Sequence, residues 1–166
     1  MSRDELLDQM SNMRTRFTDY KSYADAKIKD IFTTDEFKDA KHLQANSLKT
    51  TFFVSSEDGK LHEKALPLQA QFSPVFSITP IKNDRAGNED ILLCGNINKA
   101  RLRFGKYDAN YGVLLKNDGK GNFSYINQQQ SGFHLRGDVR SVISINNTLL
   151  FGINQNSIKA YTTKRK

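Results

Sequence analysis

Asp90-Ile-Leu-Leu-Cys-Gly-Asn96 is an unbroken apolar run, entered from an acidic turn and left through Gly-Asn. It shows neither a helical period nor polar alternation, which is the pattern of a strand covered on both faces. We therefore expect a fully buried central β-strand. A shortened echo follows at Thr148-Leu-Leu-Phe-Gly-Ile-Asn154. Each copy is preceded by the same series of strand, Asp-Gly hairpin, strand, linker and strand, so the chain reads as two copies of one antiparallel sheet unit.

Working outward from that run, Thr51-Phe-Phe-Val54 and Leu61 to Leu66 flank a turn at Asp58-Gly59, whose glycine supplies a positive-φ position. Pro67 ends the second strand. Val75-Phe-Ser-Ile-Thr79 is the third strand, and the polar stretch Lys82 to Glu89 turns into the central one. The second copy runs through Tyr111-Gly-Val-Leu-Leu115, a turn at Asn117-Asp-Gly119, Asn122 to Ile126, and Val139 to Ile145. Asn146-Asn147 makes a tight hairpin into Thr148 to Asn154, and Ser157 to Thr162 is a last strand. Laying Asp58-Gly59 on Asp118-Gly119 brings Phe72 onto Phe133, Val75-Phe-Ser-Ile onto Val139-Arg-Ser-Val, and Leu92-Leu-Cys-Gly-Asn onto Leu149-Leu-Phe-Gly-Ile-Asn. Such recurrence is how β-propeller blades are written in sequence.

Upstream, Ser2 and Glu5 have capping-box spacing, and apolar residues then fall at Leu6, Leu7, Met10, Met13, Phe17, Tyr20, Ala24, Ile28 and Ile31. The spacing predicts a long helix, breakable at Thr18-Asp19 or Lys21-Ser22, with Arg14, Arg16, Lys21, Lys27 and Lys29 on a solvated face. Thr33 and Glu36 repeat the capping-box spacing, with Phe37, Ala40 and Leu43 on one side of a second helix. The expected fold class is α+β. A helical hairpin over residues 1–46 packs on the sheets, blade-like four-stranded units span 47–97 and 111–166, and a joining loop covers 98–110.

The chain has 166 residues, long enough for one real core and short for two independent domains. Eleven Phe and six Tyr supply the bulky groups that a disordered chain of this polarity would lack. A net charge of +7 permits attraction to anionic partners. Much of the excess lies at Lys99 to Lys106 and in the Lys164-Arg165-Lys166 tail. Cys94 is the only cysteine, so no intramolecular disulfide or cysteine metal site is available, and its place in the apolar run makes it a core residue. No stretch is long and apolar enough for a membrane span, and the charged N-terminus Met-Ser-Arg-Asp-Glu lacks the apolar region of a signal peptide.

The ordered segments Leu66 to Val75, Glu89 to Asn96, Gly105-Lys-Tyr-Asp-Ala-Asn-Tyr-Gly112, Leu115 to Phe123 and Gly137-Asp-Val-Arg140 together resemble the C-terminal end of the large FG-GAP/VCBS-repeat proteins of Bacteroidetes. Arg3-Asp-Glu-Leu-Leu and Phe17 to Ala24 look like the helical insertion before their last blades. The resemblance implies a non-enzymatic β-propeller at the cell surface or secreted, with calcium loops in its blades. Those loops take the form Asp-x-Asp/Asn-x-Asp-Gly-x-x-Asp, because Ca²⁺ takes six or more oxygen ligands from a tight turn. With the last aspartate set on Asp90, Lys82, Asp84 and Ala86 occupy the first three ligand positions and Gly87 the glycine. One ligand is replaced by a cation and another is missing, so the loop of Asp84, Gly87 and Asp90 is expected to be a degenerate site without metal. No cofactor is expected.

No reaction is legible. His42, His62 and His134 lack metal-ligand spacing, and neither a phosphate-binding glycine loop nor a G-x-S-x-G elbow occurs. The residues that carry a binding reading are Arg101, Arg103, Lys106 and Tyr107 in the joining loop, with Arg136 and Arg140 near them: a basic and aromatic patch suited to an anionic glycan, a phosphate backbone or a partner protein. Opposed to it is pairing of these cations with Asp108 and Asp138. The expected function is an interaction or scaffold module for a protein or glycan partner, with the preceding blades of a longer parent chain or a homodimer through open sheet edges as further partners. A basic nucleic-acid-binding domain is the alternative.

Overall fold

A computed structural model of the chain describes residues 1–82 and 87–162. It divides into two compact units, Met1–Asn46 and Ser47–Lys166.

In the first unit the long helix predicted from Leu6 to Ile31 does not form. The segment is instead a series of short turns: α1 (Arg3–Gln9), a 3-10 turn at Ser11–Arg14, α2 (Tyr20–Ala24), α3 (Ile28–Ile31) and α4 (Thr34–Phe37). The reason is that capping groups recur too often. Ser2 and Glu5 open α1, the Asp19 carboxylate accepts the Ser22 N–H at 2.7 Å, Lys27 N donates to Asp30 at 2.8 Å, and Thr33 and Glu36 open α4. Each cap satisfies N–H groups that a continuous helix would have used in its own ladder. Arg3 fixes a reversal by donating to the carbonyls of Phe17 and Thr18 at 2.9 and 3.0 Å. The apolar positions still find one another, since Leu6, Leu7, Met13, Phe17 and Ile31 form a buried cluster. Arg16, expected on a solvated face, grips Glu36 through both terminal nitrogens at 3.0 and 3.2 Å. The second helix of the expected hairpin is the single turn α4, and Leu43 lies beyond it, exposed.

The second unit contains β1 (Thr51–Ser55), β2 (Leu61–Ala65), β3 (Val75–Lys82), β4 (Glu89–Gly95), β5 (Val113–Asn117), β6 (Phe123–Ile126), the turn α5 (Gln128–Ser131), β7 (Val139–Ile145), β8 (Thr148–Ile153) and β9 (Lys159–Thr162). All pairings are antiparallel, in three sheets: β1-β2, β3-β4-β5-β6 and β7-β8-β9. The chain is thus α+β, but the strands are not divided as the expected blades were. β5 and β6, assigned to the second unit by sequence, complete the sheet of the first, and β1-β2 is a separate ribbon.

Two hairpins, β3-β4 and β7-β8, do correspond in register, with an alignment different from the expected one. In β3-β4, Val75 pairs with Gly95 and Ser77 with Cys94, leaving Phe76 as an extra, bulged residue. In β7-β8, Val139 pairs with Ile153 and Ser141 with Gly152, leaving Arg140 in the same place. The pairing continues in step, so Leu92 corresponds to Leu150, Leu93 to Phe151 and Asn96 to Asn154. Gly95 therefore matches Ile153, and Gly152 matches Cys94. The β5 strand corresponds in turn to β9, because Leu114 pairs with Leu92 as Ala160 pairs with Leu150. The two Asp-Gly turns likewise match two residues away from the expected alignment: Ser55 pairs with Leu61 and Asn117 with Phe123 around loops of equal length, which sets Gly59 on Gly121.

β4 is covered on both sides, as its apolar run predicted. Leu92 and Cys94 point into a core built with Leu114, Phe133, Val139, Leu149, Phe151 and Ile153, while Leu93 joins Ala70, Val113 and Leu115 in a second core on the other face. The first core lies between the four-stranded and three-stranded sheets. It takes opposite faces of the two matched sheets, since Leu92 and Cys94 contribute from one and the counterparts of Ile91, Leu93 and Gly95 from the other. Like units therefore stack in the same sense, front to back.

Candidate functional site

The 98–110 segment expected to join two copies instead lies inside the first sheet, between β4 and β5. Its counterpart between β8 and β9 is only the short stretch 154–158. The longer connection is held at its base by Asn96, which is 1% exposed. The Asn96 amide donates through Nδ2 to the carbonyls of Asn110 and Gly137 at 2.7 and 3.0 Å, and its Oδ1 accepts the Asn110 N–H at 3.0 Å. Ser73 Oγ lies 2.7 Å from Asn96 Oδ1 and 2.9 Å from the Tyr107 carbonyl, with one hydrogen to share between them. One side chain thus ties the end of β4, the return of the loop and the entry to β7. Such a site requires Asn, because it needs two donors and an acceptor in one plane. Asn96 also has a φ of 95°, which asparagine tolerates better than other side chains.

Asp138 adds a second anchor. Its buried carboxylate accepts the Asn98 N–H at 2.7 Å and approaches Arg140 at 3.5 Å. Farther along, Ile97 and Tyr107 form an isolated bridge with both backbone hydrogen bonds made, at 2.8 and 2.9 Å. Lys99 Nζ donates to Gln155 Oε1, on the turn after β8. The base of the loop is therefore fixed while its tip projects.

That tip is a short 3-10 turn, Leu102–Phe104, preceded by Arg101 and followed by Gly105. Leu102 is fully exposed, Phe104 is 55% exposed and Tyr107 is 44% exposed. The Arg103 guanidinium sits 5.1 Å from the Phe104 ring centroid. Arg101 and Lys106 are exposed and make no ion pair or side-chain hydrogen bond among the described residues. The fold thus brings Arg101, Arg103, Lys106 and Tyr107 together on one projecting loop. Arg140 is elsewhere, paired with Asp138 and laid over Phe76, so it has a packing role. Arg136 is exposed on the segment before β7. Beside the loop base an open groove of about 410 Å³ has Leu48, Phe72, Pro74 and Tyr107 in its wall.

Asp84 of the expected calcium loop lies outside the described residues. Asp90 is buried and its Oδ1 accepts the Asn117 N–H at 2.9 Å, fastening β4 to β5. No group of three metal-ligating side chains is found among the described residues. The Cys94 thiol is pushed up to about 12 by burial. No helix among the described residues is long and apolar enough to cross a membrane.

Sequence reasoning singled out the cations of the loop and offered Asp138 as a counter-ion, which it is for Arg140, but missed Asn96, Asn110 and Ser73 as the residues that fix the loop base. The available signal was the asparagine that ends both apolar runs, which was read only as a stop. Compared with protein-family models, curated proteins and solved structures, the chain finds no match.

Proposed function

We propose that the chain is a non-enzymatic interaction module whose 97–110 loop binds the anionic surface of a protein or glycan partner. The observation that carries this reading is the loop itself. Three cations line it, Leu102 and Phe104 are exposed at its tip and Tyr107 beside its base, and a buried hydrogen-bond network fixes that base. Aromatic and guanidinium groups on a pre-ordered support lose little conformational freedom on binding. The repeated sheet unit is in keeping with the C-terminal portion of a cell-surface or secreted FG-GAP/VCBS-repeat propeller protein, where such a loop would face a partner.

Heparin affinity at several salt concentrations, with the fold of each variant checked by circular dichroism, tests the reading. Retention should be lost in Arg101→Ala/Arg103→Ala and reduced in Tyr107→Ala. A protein that passes heparin and an acidic peptide matrix unretarded at low salt would sink the proposal. Single-stranded nucleic acid serves as the contrasting ligand. Three phosphate contacts predict a slope of log affinity on log salt of about −2, and preference for that ligand over heparin would move the function to nucleic-acid binding.

A further inference from the structure

A second recess, of about 330 Å³, is lined by the rings of Phe72, Tyr111 and Tyr125 together with Gln69 and Gln128. Every residue that lines it belongs to the unit formed by Ser47–Lys166. The chain holds each stretch of this lining in place through neighbouring residues. Gln69 lies in the 3-10 turn Leu68–Gln71, beside Ala70, which is buried in the second core, and Gln71, whose amide accepts the Thr50 N–H at 2.8 Å and donates to the Thr50 carbonyl at 2.9 Å. Gln128 opens α5, which Asn127 caps by accepting the Gln130 N–H at 2.9 Å. Tyr125 packs on the second core, and the Tyr111 ring lies parallel to that of His134 at 5.4 Å. Gly112, which also lines the recess, donates its N–H to the buried Asn110 side chain at 2.8 Å, and a Cβ at Gly112 would come within 3.0 Å of the Phe133 Cβ.

The hydrogen-bonding capacity of this lining is unspent. Among the described residues, the amides of Gln69 and Gln128 and the phenol groups of Tyr111 and Tyr125 make no hydrogen bond within the chain, although nearby Gln71 uses both ends of its amide. Each amide carries donors and an acceptor on one planar group, and each phenol can donate and accept. Rings beside unspent amides and phenols match a sugar, whose C–H face lies on an aromatic ring while its hydroxyls, themselves donors and acceptors, pair with the polar groups around it. We propose that this recess binds a neutral saccharide. Its volume is at the lower end of small-molecule sites and suits roughly one or two hexose rings. A proline-rich strand, the other usual occupant of aromatic grooves, would present carbonyl acceptors without donors and leave the acceptors of the amides and phenols unpaired. The ligand is uncharged, unlike that of the 97–110 loop, which reaches the recess through Ala109. The two sites therefore stand or fall separately.

Saturation-transfer NMR on the full chain reads both the binding and the sugar face in contact, with the methyl glycosides of glucose, galactose, mannose and N-acetylglucosamine, and with lactose and cellobiose, as probes. At least one of these should bind with a dissociation constant on the order of 1 mM, with transfer strongest to the C–H protons of one ring face. Phe72→Ala and Gln128→Ala should each weaken that binding about tenfold. Neither should shift the thermal transition, since Phe72 is 49% exposed and the Gln128 amide has no partner to lose. Leu48→Ala, in the wall of the neighbouring groove that Phe72 also borders, should leave sugar binding unchanged. Arg101→Ala/Arg103→Ala should leave it unchanged as well, while abolishing retention on heparin. Absence of transfer to every one of these sugars at about 20 mM, far above that constant, overturns the proposal. So does binding that survives Phe72→Ala/Gln128→Ala, which would put the sugar elsewhere, and so does a preference for oligoproline over every sugar, which would make the recess a peptide groove.

Discussion

The guanidinium carbon of Arg140 lies 3.9 Å from the centroid of the Phe76 ring, so the two bulged residues of the repeat rest on each other. A bulge turns its extra side chain out of the regular alternation, and here both are turned toward a shared place between β3 and β7. Arg140 is half-exposed and also meets Asp138 at 3.5 Å. Arg140→Ala should therefore cost about 1–2 kcal/mol, most of it cation–π and packing contact. A double-mutant cycle with Phe76→Leu in urea unfolding should return a coupling of about 0.5–1 kcal/mol; additive effects would show that the two bulges do not support each other.

Asn96 leaves no room for a conservative exchange. Asn96→Asp keeps the acceptor and replaces the donor pair with a charge beside two carbonyls, and Asn96→Ala strands the Asn110 N–H and both carbonyls. Either should destabilise the second unit by about 3–5 kcal/mol. The loop should also loosen, which limited trypsin digestion at Arg101 and Arg103 would reveal as faster cleavage before the core unfolds.

Gly95 has no space for a side chain, because a Cβ there would fall on the carbonyl oxygen of Pro74. Gly95→Ala should lower the unfolding midpoint by an amount equivalent to several kcal/mol, in the range of severe overpacking. Its counterpart Ile153 is buried in the core, so Ile153→Gly should be damaging for the opposite reason, a cavity.

Cys94 should resist thiol reagents at neutral pH in the folded protein and react once denaturant is added, as followed with a chromogenic disulfide. Its thiol moves from an ordinary value of 9.0 to about 12 through burial. The folded state disfavours the thiolate, so this contribution to stability is intact below pH 9.0 and fades as the pH rises toward 12.

Glu36 behaves in the opposite sense. The Arg16 guanidinium, followed by the Thr33 N–H, lowers its carboxyl from 4.5 to about 2. The stability it lends the first unit is complete above pH 4.5 and is lost as the pH falls toward 2. Glu36→Gln should flatten that acid limb in circular dichroism of the first unit; an unchanged limb would show that the pair has no part in it.

The central strand was legible because burial on two faces removes polar alternation, and Leu92, Leu93 and Cys94 state that directly. The repeat was legible for the same reason. Its alignment was not, because Gly95 and Gly152 look equivalent but answer different neighbours, Pro74 in one hairpin and Ser141 in the other. The grouping of strands into sheets was hidden too, since β5 pairs with β4 across an excursion fixed by Asn96, a tertiary contact with no local signature. In the first unit, the spacing of Leu6, Met13, Phe17 and Ile31 correctly marked the core residues but not the backbone joining them, where Asp19 and Thr33 each open a new turn. The loop cations were visible as charge, whereas their presentation depends on Asn96, which reads as a strand stop, and on Asp138, which reads as a counter-ion and not as the acceptor of the Asn98 N–H.

β4 belongs to two cores at once, through Leu92 and Cys94 on one side and Leu93 on the other. Opening either core alone leaves the strand hydrogen-bonded and covered by the other. Its backbone amides should thus trade hydrogen for deuterium only when the whole second unit opens, making them the chain's slowest clock, against which looser motions of the projecting loop can be timed.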